Sequence, residues 1–300
     1  MGVSSSPRAV AIVVNPYSGA DRNRERVTAL VAALTRVGLE PRPMWGPHDL
    51  ADAASRPGFA EEYCCVVAAG GDGTLNRVVN QQTVVPVAMF PLGNENLFGR
   101  EFGHRGDPEV TARMIQAGRT RTIDLGLAGE QKFCCVASAG FDADVAHRLA
   151  QWRRDEAALK RVRRMSYARQ IAAAAWNYPF PMMQIEADGV RVEGALVLVF
   201  NLSQYAFHLK FVDETLPDDG LLDWIVFERP HRWPLFSYTL SVFLRRHLRR
   251  SDVRHGRARQ IRVSCSTPVP LEVDGDATGF APVELSVLPG ALRIFEAEGA

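Results

Sequence analysis

Residues 63 to 79 read Tyr63-Cys64-Cys65-Val66-Val67-Ala68-Ala69-Gly70-Gly71-Asp72-Gly73-Thr74-Leu75-Asn76-Arg77-Val78-Val79. The run from Tyr63 to Ala69 is apolar and short, as expected of a strand buried in a parallel sheet. Glycine then dominates the turn, and apolar residues resume in a helical stretch. At such a strand–turn–helix junction, glycine permits the tight backbone, and free N–H groups at the helix start favour an anion.

The same arrangement recurs on either side. The strand-like run Ala9–Val14 leads into Asn15-Pro16-Tyr17-Ser18-Gly19, and Val84–Phe90 leads into Pro91-Leu92-Gly93-Asn94-Glu95-Asn96. A further strand is expected at Leu39–Trp45. Between the strands, Arg22–Val37 places Val27, Leu30, Val31 and Leu34 at i, i+3, i+4 and i+7, the spacing of a helix with one apolar face. A looser helix is expected near Asp49–Ala60. Repeated strand–helix units imply an α/β domain with a parallel sheet covered on both faces. Ligands of such sheets bind beyond the C-terminal strand ends, where all three polar loops lie.

From about Asp124 short β-rich runs take over: Phe133–Ser138, Met183–Ala187, Ala195–Leu202, Leu221–Phe227, Gln260–Cys265, Leu271–Val273, Val283–Leu288 and Leu292–Phe295. Asp188-Gly189 reads as a hairpin turn. Helical stretches are expected at Asp142–Trp176 and Trp233–Arg250. The reading is a nucleotide-binding α/β domain over 1–125 and a mostly antiparallel, β-rich lipid-substrate domain over 126–290. Residues 291–300 are candidates to return to the first domain.

Composition narrows the function classes. The 300 residues are 47% hydrophobic and 23% charged, near the globular average. With 35 basic against 34 acidic residues, nothing argues for a nucleic-acid binder. Only three of the basic residues are lysine (Lys132, Lys160, Lys210), a bias of genome composition. The apolar stretch Gln170 to Ile185 contains Asn177, Pro179 and Pro181 and falls short of the roughly 20 residues of a membrane-spanning helix. The five cysteines are an odd number without CxxC spacing and fit reduced thiols in a cytoplasmic protein. P-loop, dinucleotide, HExxH and GxSxG motifs are absent.

Gly70-Gly71-Asp72-Gly73-Thr74 resembles the GGDGT signature shared by diacylglycerol, sphingosine, ceramide and NAD kinases. The likeness to the diacylglycerol kinase catalytic family extends further. Asn15-Pro16-x-Ser18-Gly19 resembles its NPxSG opening, and Pro91-Leu92-Gly93 with Asn96 its P-x-G-T-x-N loop. Asp124-Leu125-Gly126, Ser138-x-Gly140-Phe141-Asp142-Ala143, Asp219-Gly220-Leu221-Leu222-Asp223 and Val273-Asp274-Gly275-Asp276 follow in the family's order.

The resemblance implies an ATP- and Mg²⁺-dependent lipid kinase, with ATP held between two domains and a diacylglycerol-like or sphingoid acceptor. By carry-over, the nucleotide site comprises Asn15, Ser18, Gly19, Gly70, Gly71, Gly73, Thr74, Asn76, Gly93, Asn94, Glu95, Asn96 and Asp276. Asp274 stands where the family has its proposed general base. Asp72 is assigned to catalysis and metal, and Asp219 to a structural magnesium site. Departures from the family pattern are Asn94, Leu97, Arg77 in place of a usual Glu, Asp276 in place of Glu, and Val212-Asp213 in place of Ala-Pro. Asp142 and Asp144 read either as residues on the rim of the site or, for Asp142, as a helix cap.

Two stretches combine arginine with aromatic residues, one from Arg148 to Arg169 and one from Trp233 to Arg250. Each reads either as a solvated helix face or as a peripheral contact with the inner membrane leaflet. A homodimer stays open. Two other readings compete with the lipid kinase: a catalytically degenerate nucleotide- or lipid-binding protein of the same fold, and NAD kinase. The NAD kinase loop N-x-G-x-L-G-F-L is not matched by Gly93-Asn94-Glu95-Asn96-Leu97-Phe98-Gly99.

Overall fold

The structure is a computed structural model that describes residues 8–15, 20–82, 84–93, 95–155, 176–203, 205, 209–212, 215–229 and 231–297. Ser18, Gly19, Asn94 and most of the basic stretch up to Arg169 lie outside the described residues. The chain divides into two compact units, Met1–Leu125 with Pro289–Ala300, and Gly126–Leu288.

In the first unit, β1 (Ala9–Val14) is apolar at every position and wholly buried, because its sheet is covered on both faces. It pairs in parallel with β2 (Glu40–Met44) and β3 (Tyr63–Gly70), and β3 pairs in parallel with β4 (Val87–Pro91). Strand β2 carries Pro41 and Pro43, which cannot donate to a ladder, and accordingly stands at the sheet edge. Helix α1 (Ala20–Arg36) turns Val27, Leu30 and Leu34 onto Val10, Ile12, Val67 and Phe90 of the strands. The last strand of the chain, β16 (Val283–Phe295), ends here, with Ile294 opposite Val87 of β4.

Two buried polar groups fix that return. Asp124, on β5 (Thr120–Ala128), accepts from the Gly290 amide at 2.7 Å, at a point where Gly290 takes φ 60°. His104 accepts from the Met89 amide through Nδ1 at 3.0 Å and lies 2.9 Å from the Phe295 carbonyl at Nε2, so it joins β4 to β16 as a neutral ring. Burial lowers its pKa from 6.5, so acid favours the unfolded chain, which takes up the proton first. This contribution to stability is complete above pH 6.5 and falls as pH drops through 6.5. Urea unfolding at about pH 7.5 and about pH 5.5 checks it: His104→Gln should show a smaller loss on acidification than wild type.

The second unit is built of two antiparallel layers. One holds β9 (Val190–Gly194), β8 (Met183–Ala187), β13 (Gln260–Cys265) and the start of β16. The other runs β12 (Val253–Ala258), β11 (Leu222–Phe227), β10 (Leu196–Phe200), β7 (Val136–Gly140), β14 (Val269–Val273), β15 (Asp276–Ala281). Ile185, Ile261 and Val263 of the first share one core with Val197, Trp224 and Leu271 of the second. The Asp188-Gly189 turn joins β8 to β9, with φ 44° and 88°. Helix α7 (Phe141–Asp155) packs on β14 and β7. The helix expected over Trp233–Arg250 is shorter: α8 (Arg232–Phe243) stops before Arg245, which takes φ 52°, and a 3-10 turn follows at His247–Arg249. No helix among the described residues is long and apolar enough to cross a membrane. The five cysteines are free thiols.

Candidate functional site

In the first unit the site forms where β3 and β4 end. Helix α4 (Asp72–Gln81) starts directly after Gly71, and the Thr74 and Leu75 amides close its first turn on the Gly71 carbonyl at 2.9 and 3.2 Å. The loop after β4 comes within contact of this turn. A Cβ on Gly93 would sit 2.8 Å from the Gly71 Cα and 2.9 Å from Asn96 Oδ1, so position 93 needs glycine. Leu92 N donates to the Gly70 carbonyl at 2.9 Å.

Side chains hold the two loops in this approach. Asp72 Oδ1 accepts from the Phe98 amide at 3.3 Å, at the start of α5 (Leu97–Glu101). Asn96, at φ 48°, folds its own loop: Oδ1 accepts from Gly93 N and Nδ2 donates to the Gly93 carbonyl at 2.8 Å. The structure thus brings Gly70, Gly71, Asp72, Gly73, Thr74, Gly93 and Asn96 together. Asn15 follows β1 at the same edge, half-buried. Asn76 is buried and its Oδ1 accepts from Asn80 within α4, so it serves the helix. Glu95 faces Arg100 at 3.6 Å.

Arg77 is the residue here whose weight the sequence understated. Its Nε and Nη2 form the two-donor edge of the guanidinium and are buried without a partner, as are Thr74 Oγ1 and Gln81 Oε1 on the same helix. Gln81 Nε2 donates to the Pro47 carbonyl after β2, so this row of α4 lies along the C-terminal strand ends. Burial lowers the Arg77 pKa without removing its charge. A two-oxygen acceptor fits such an edge.

The second unit holds a carboxylate cluster that sequence reasoning only touched. Glu272 on β14 stands directly opposite Ser138 on β7. Ser138 Oγ lies 2.7 Å from Glu272 Oε2 and 3.0 Å from Asp142 Oδ2. A serine hydroxyl has one proton, so it can serve both carboxyls only if one is protonated. Glu272 is that group: burial first, then the Asp142 charge, pushes its pKa well above the carboxylate range. Its proton goes to Ser138 Oγ, whose own proton goes to Asp142. Tyr205 OH adds a second bond to Asp142 Oδ2 at 2.6 Å, and among the described residues no hydrogen bond falls on Oδ1. Burial first, then the Asp142 charge, raises the Tyr205 pKa and keeps it protonated as that donor.

Asp274 occupies a different environment from the one expected of a base. It takes φ 49° in the β14–β15 hairpin turn, with Gly275 at 87°. Its Oδ2 accepts from Cys134 N at 2.8 Å, and its Oδ1 from Cys135 N at 2.8 Å and Val136 N at 3.0 Å. Three amides therefore occupy the carboxylate, which clamps the hairpin to the chain before β7. Asp276 is exposed at the start of β15.

The magnesium expected at Asp219 meets a cation already in place. Arg257 donates to Asp219 Oδ2 at 3.1 Å and to Asp223 Oδ1 at 3.2 Å, and Asp219 Oδ1 accepts from Leu221 N. Among the described residues no group of three or more His, Cys, Asp or Glu could hold a metal ion. Residues bridged by a guanidinium do not fit a second cation. Asp72 fits better, as a carboxylate at the start of α4 beside the glycine turn, because Mg²⁺ commonly takes one or two carboxylates together with substrate phosphates.

Known proteins match along the whole chain. The diacylglycerol kinase catalytic domain model matches residues 9–128, and the YegS C-terminal NAD kinase beta sandwich-like domain model matches residues 135–296. A Mycobacterium tuberculosis (strain ATCC 25618 / H37Rv) protein named diacylglycerol kinase is 26% identical over 297 residues, covering 95% of this chain and 94% of its own. A Staphylococcus epidermidis (strain ATCC 12228 / FDA PCI 1200) protein of the same name is 26% identical over 302 residues, covering 95% and 90%. The solved structure of a diacylglycerol kinase from Bacillus anthracis str. Sterne superposes with a TM-score of 0.73 at 20% identity, over 98% of this chain and 99% of that one, and shares the fold. The chain belongs to the family of the YegS C-terminal NAD kinase beta sandwich-like domain, preceded by a segment that matches the diacylglycerol kinase catalytic domain.

Proposed function

We propose that this chain is a lipid kinase, which transfers the γ-phosphate of ATP to the hydroxyl of a diacylglycerol-like or sphingoid lipid. The observation that carries the reading is the approach of the Gly71 and Gly93 loops, tied by Asp72 and Asn96 at the strand ends of an α/β unit. The first turn of α4 offers amide N–H groups to the phosphates, and Arg77 offers a buried pair of donors. Asp72 is the residue that would hold Mg²⁺, which supplies charge neutralisation on the transferring phosphate.

In the second unit, Asp142 is the acceptor-side group. The neutral Glu272 and the hydroxyls of Ser138 and Tyr205 orient its carboxylate through Oδ2. The lipid oxygen bonds to the γ-phosphorus as the bridging P–O bond breaks. ADP leaves with the electron pair, and Asp142 is the carboxylate we assign to take the hydroxyl proton. A positioned carboxylate suffices, because phosphoryl transfer through a loose transition state rests mainly on positioning and charge. Asp274 contributes the clamp that shapes this region.

Transfer of labelled γ-phosphate to a panel of diacylglycerol, monoacylglycerol, sphingosine, ceramide and a polyprenol, with NAD as an aqueous control, tests the proposal. One labelled lipid, dependent on Mg²⁺ and lost in Asp72→Asn, is expected. ATP binding without transfer to any of them would leave a nucleotide-binding protein, and label on NAD would leave an NAD kinase.

A further inference from the structure

Helix α8 has two unlike faces. Its inner face is ordinary: Tyr238, Ser241 and Val242 are buried, and Tyr238 OH donates to the Asp252 carbonyl while its ring packs at a tilt against Phe227. Its outer face is apolar rather than polar. Trp233, Phe236, Leu240 and Phe243 follow at intervals of three, four and three residues and are 71%, 72%, 51% and 75% exposed, with Leu244 beside them. Scattered exposed apolar residues are normal, but a contiguous row of large ones marks a docking surface.

Charge identifies the occupant. From Arg229 to Ser251 the chain has six arginines and no acidic residue. Arg229 and Arg250 are spent on Asp252. Arg245, Arg246 and Arg249, directly after the apolar row, are exposed and have no ion pair among the described residues. Aromatic side chains beside unpaired arginines match the two layers of an anionic lipid surface, acyl chains under phosphate headgroups. Under the helix, Leu235 and Tyr238 line a crevice with Phe141, Phe180, Leu196 and Phe227, and Phe141 immediately precedes Asp142.

We propose that the outer face of α8 docks this protein on anionic bilayers, with Trp233, Phe236 and Phe243 entering the interface and Arg245, Arg246 and Arg249 binding headgroup phosphates. The purpose of this docking rests on the lipid-kinase reading above, since a long-chain lipid acceptor stays in the bilayer.

Co-sedimentation with phosphatidylcholine vesicles, with and without phosphatidylglycerol, tests the docking in the absence of nucleotide. The full chain should sediment with the anionic vesicles, less so as salt rises. The triple variant Arg245→Gln/Arg246→Gln/Arg249→Gln should bind them roughly 100-fold more weakly. Trp233→Ser/Phe236→Ser/Phe243→Ser, altered only at exposed positions, should keep its melting temperature and lose about as much binding. Trp233→Phe should still bind but lose a blue shift in emission that wild type shows. No sedimentation, equal binding to pure phosphatidylcholine, or a wild-type dimer by light scattering that the serine variant dissociates would overturn the proposal; the last would make the face a contact between copies of this chain. Phosphate transfer to a short-chain diacylglycerol dispersed in solution reads the kinase activity without a bilayer, so the two proposals fail separately.

Discussion

Replacing Asp142 by Asn should lower kcat for phosphate transfer by roughly 10²–10⁴-fold, the usual range for losing a positioned proton acceptor, while ATP binding is unchanged. Asparagine keeps the size of the side chain and one oxygen for Tyr205 and Ser138, so folding should be nearly intact. Glu272→Gln separates orientation from charge. Its amide can still donate toward Ser138 Oγ, 2.7 Å away in wild type, and activity should stay within about tenfold. Stability gives the second readout. Glu272 is held protonated by burial, whereas in the unfolded chain it ionises near 4.5. The unfolded state therefore loses its proton first, and wild type loses stability as pH rises from 4.5 toward the raised folded value. Glu272→Gln removes that dependence and should be the more stable protein at neutral and alkaline pH. Equal kcat in Asp142→Asn and wild type would remove Asp142 from the mechanism.

How much of this could be read from sequence depends on how local each feature is. The Gly71 and Gly93 loops were legible because glycine, strand run and helix start are contiguous there, and because Gly93 and Asn96 meet within four residues. Strand β1 was legible from its unbroken apolar run. Helix α8 was overextended because Arg245 at φ 52° interrupts a segment whose composition stays helical. Strands β5 and β12 were missed because their polar residues, such as Arg121 and Arg257, mask the alternation. The Glu272 proton was illegible. A glutamate between Leu271 and Val273 reads as an outward residue of an alternating strand, yet it is 4% exposed, because Ser138, which shares its proton, lies 134 positions away in sequence. Asp219 misled in the same way: its partner Arg257 comes from β12, and only the folded sheet shows that a guanidinium already fills the cation position.

Asp274 supplies the other large effect, and it falls on stability. Its carboxylate accepts three amides from Cys134, Cys135 and Val136, and its own amide donates to the Val136 carbonyl at 2.8 Å. Asn201 Nδ2 holds the Cys134 carbonyl at 2.9 Å, so this strip is fastened by two side chains. Removing the acceptor leaves three N–H donors, of which the buried Cys134, Cys135 and Val136 positions allow little access to water. Asp274→Ala should therefore cost about 3–5 kcal/mol, since amide bonds to a carboxylate are stronger than neutral ones and each orphaned buried donor carries a penalty. At about 2–4 °C per kcal/mol for a unit of this size, the melting transition should fall by roughly 6–20 °C. Asp274→Asn should lose less, because its Oδ1 can still accept from Cys135 and Val136 while its amide opposes the Cys134 donor. Calorimetry of both variants, followed by transfer assays well below their melting temperatures, separates a clamp from a base. A clamp predicts a large thermal shift, with kcat retained within about tenfold where the protein is folded. An unshifted melting temperature together with abolished transfer would return Asp274 to the reaction and displace Asp142 from it.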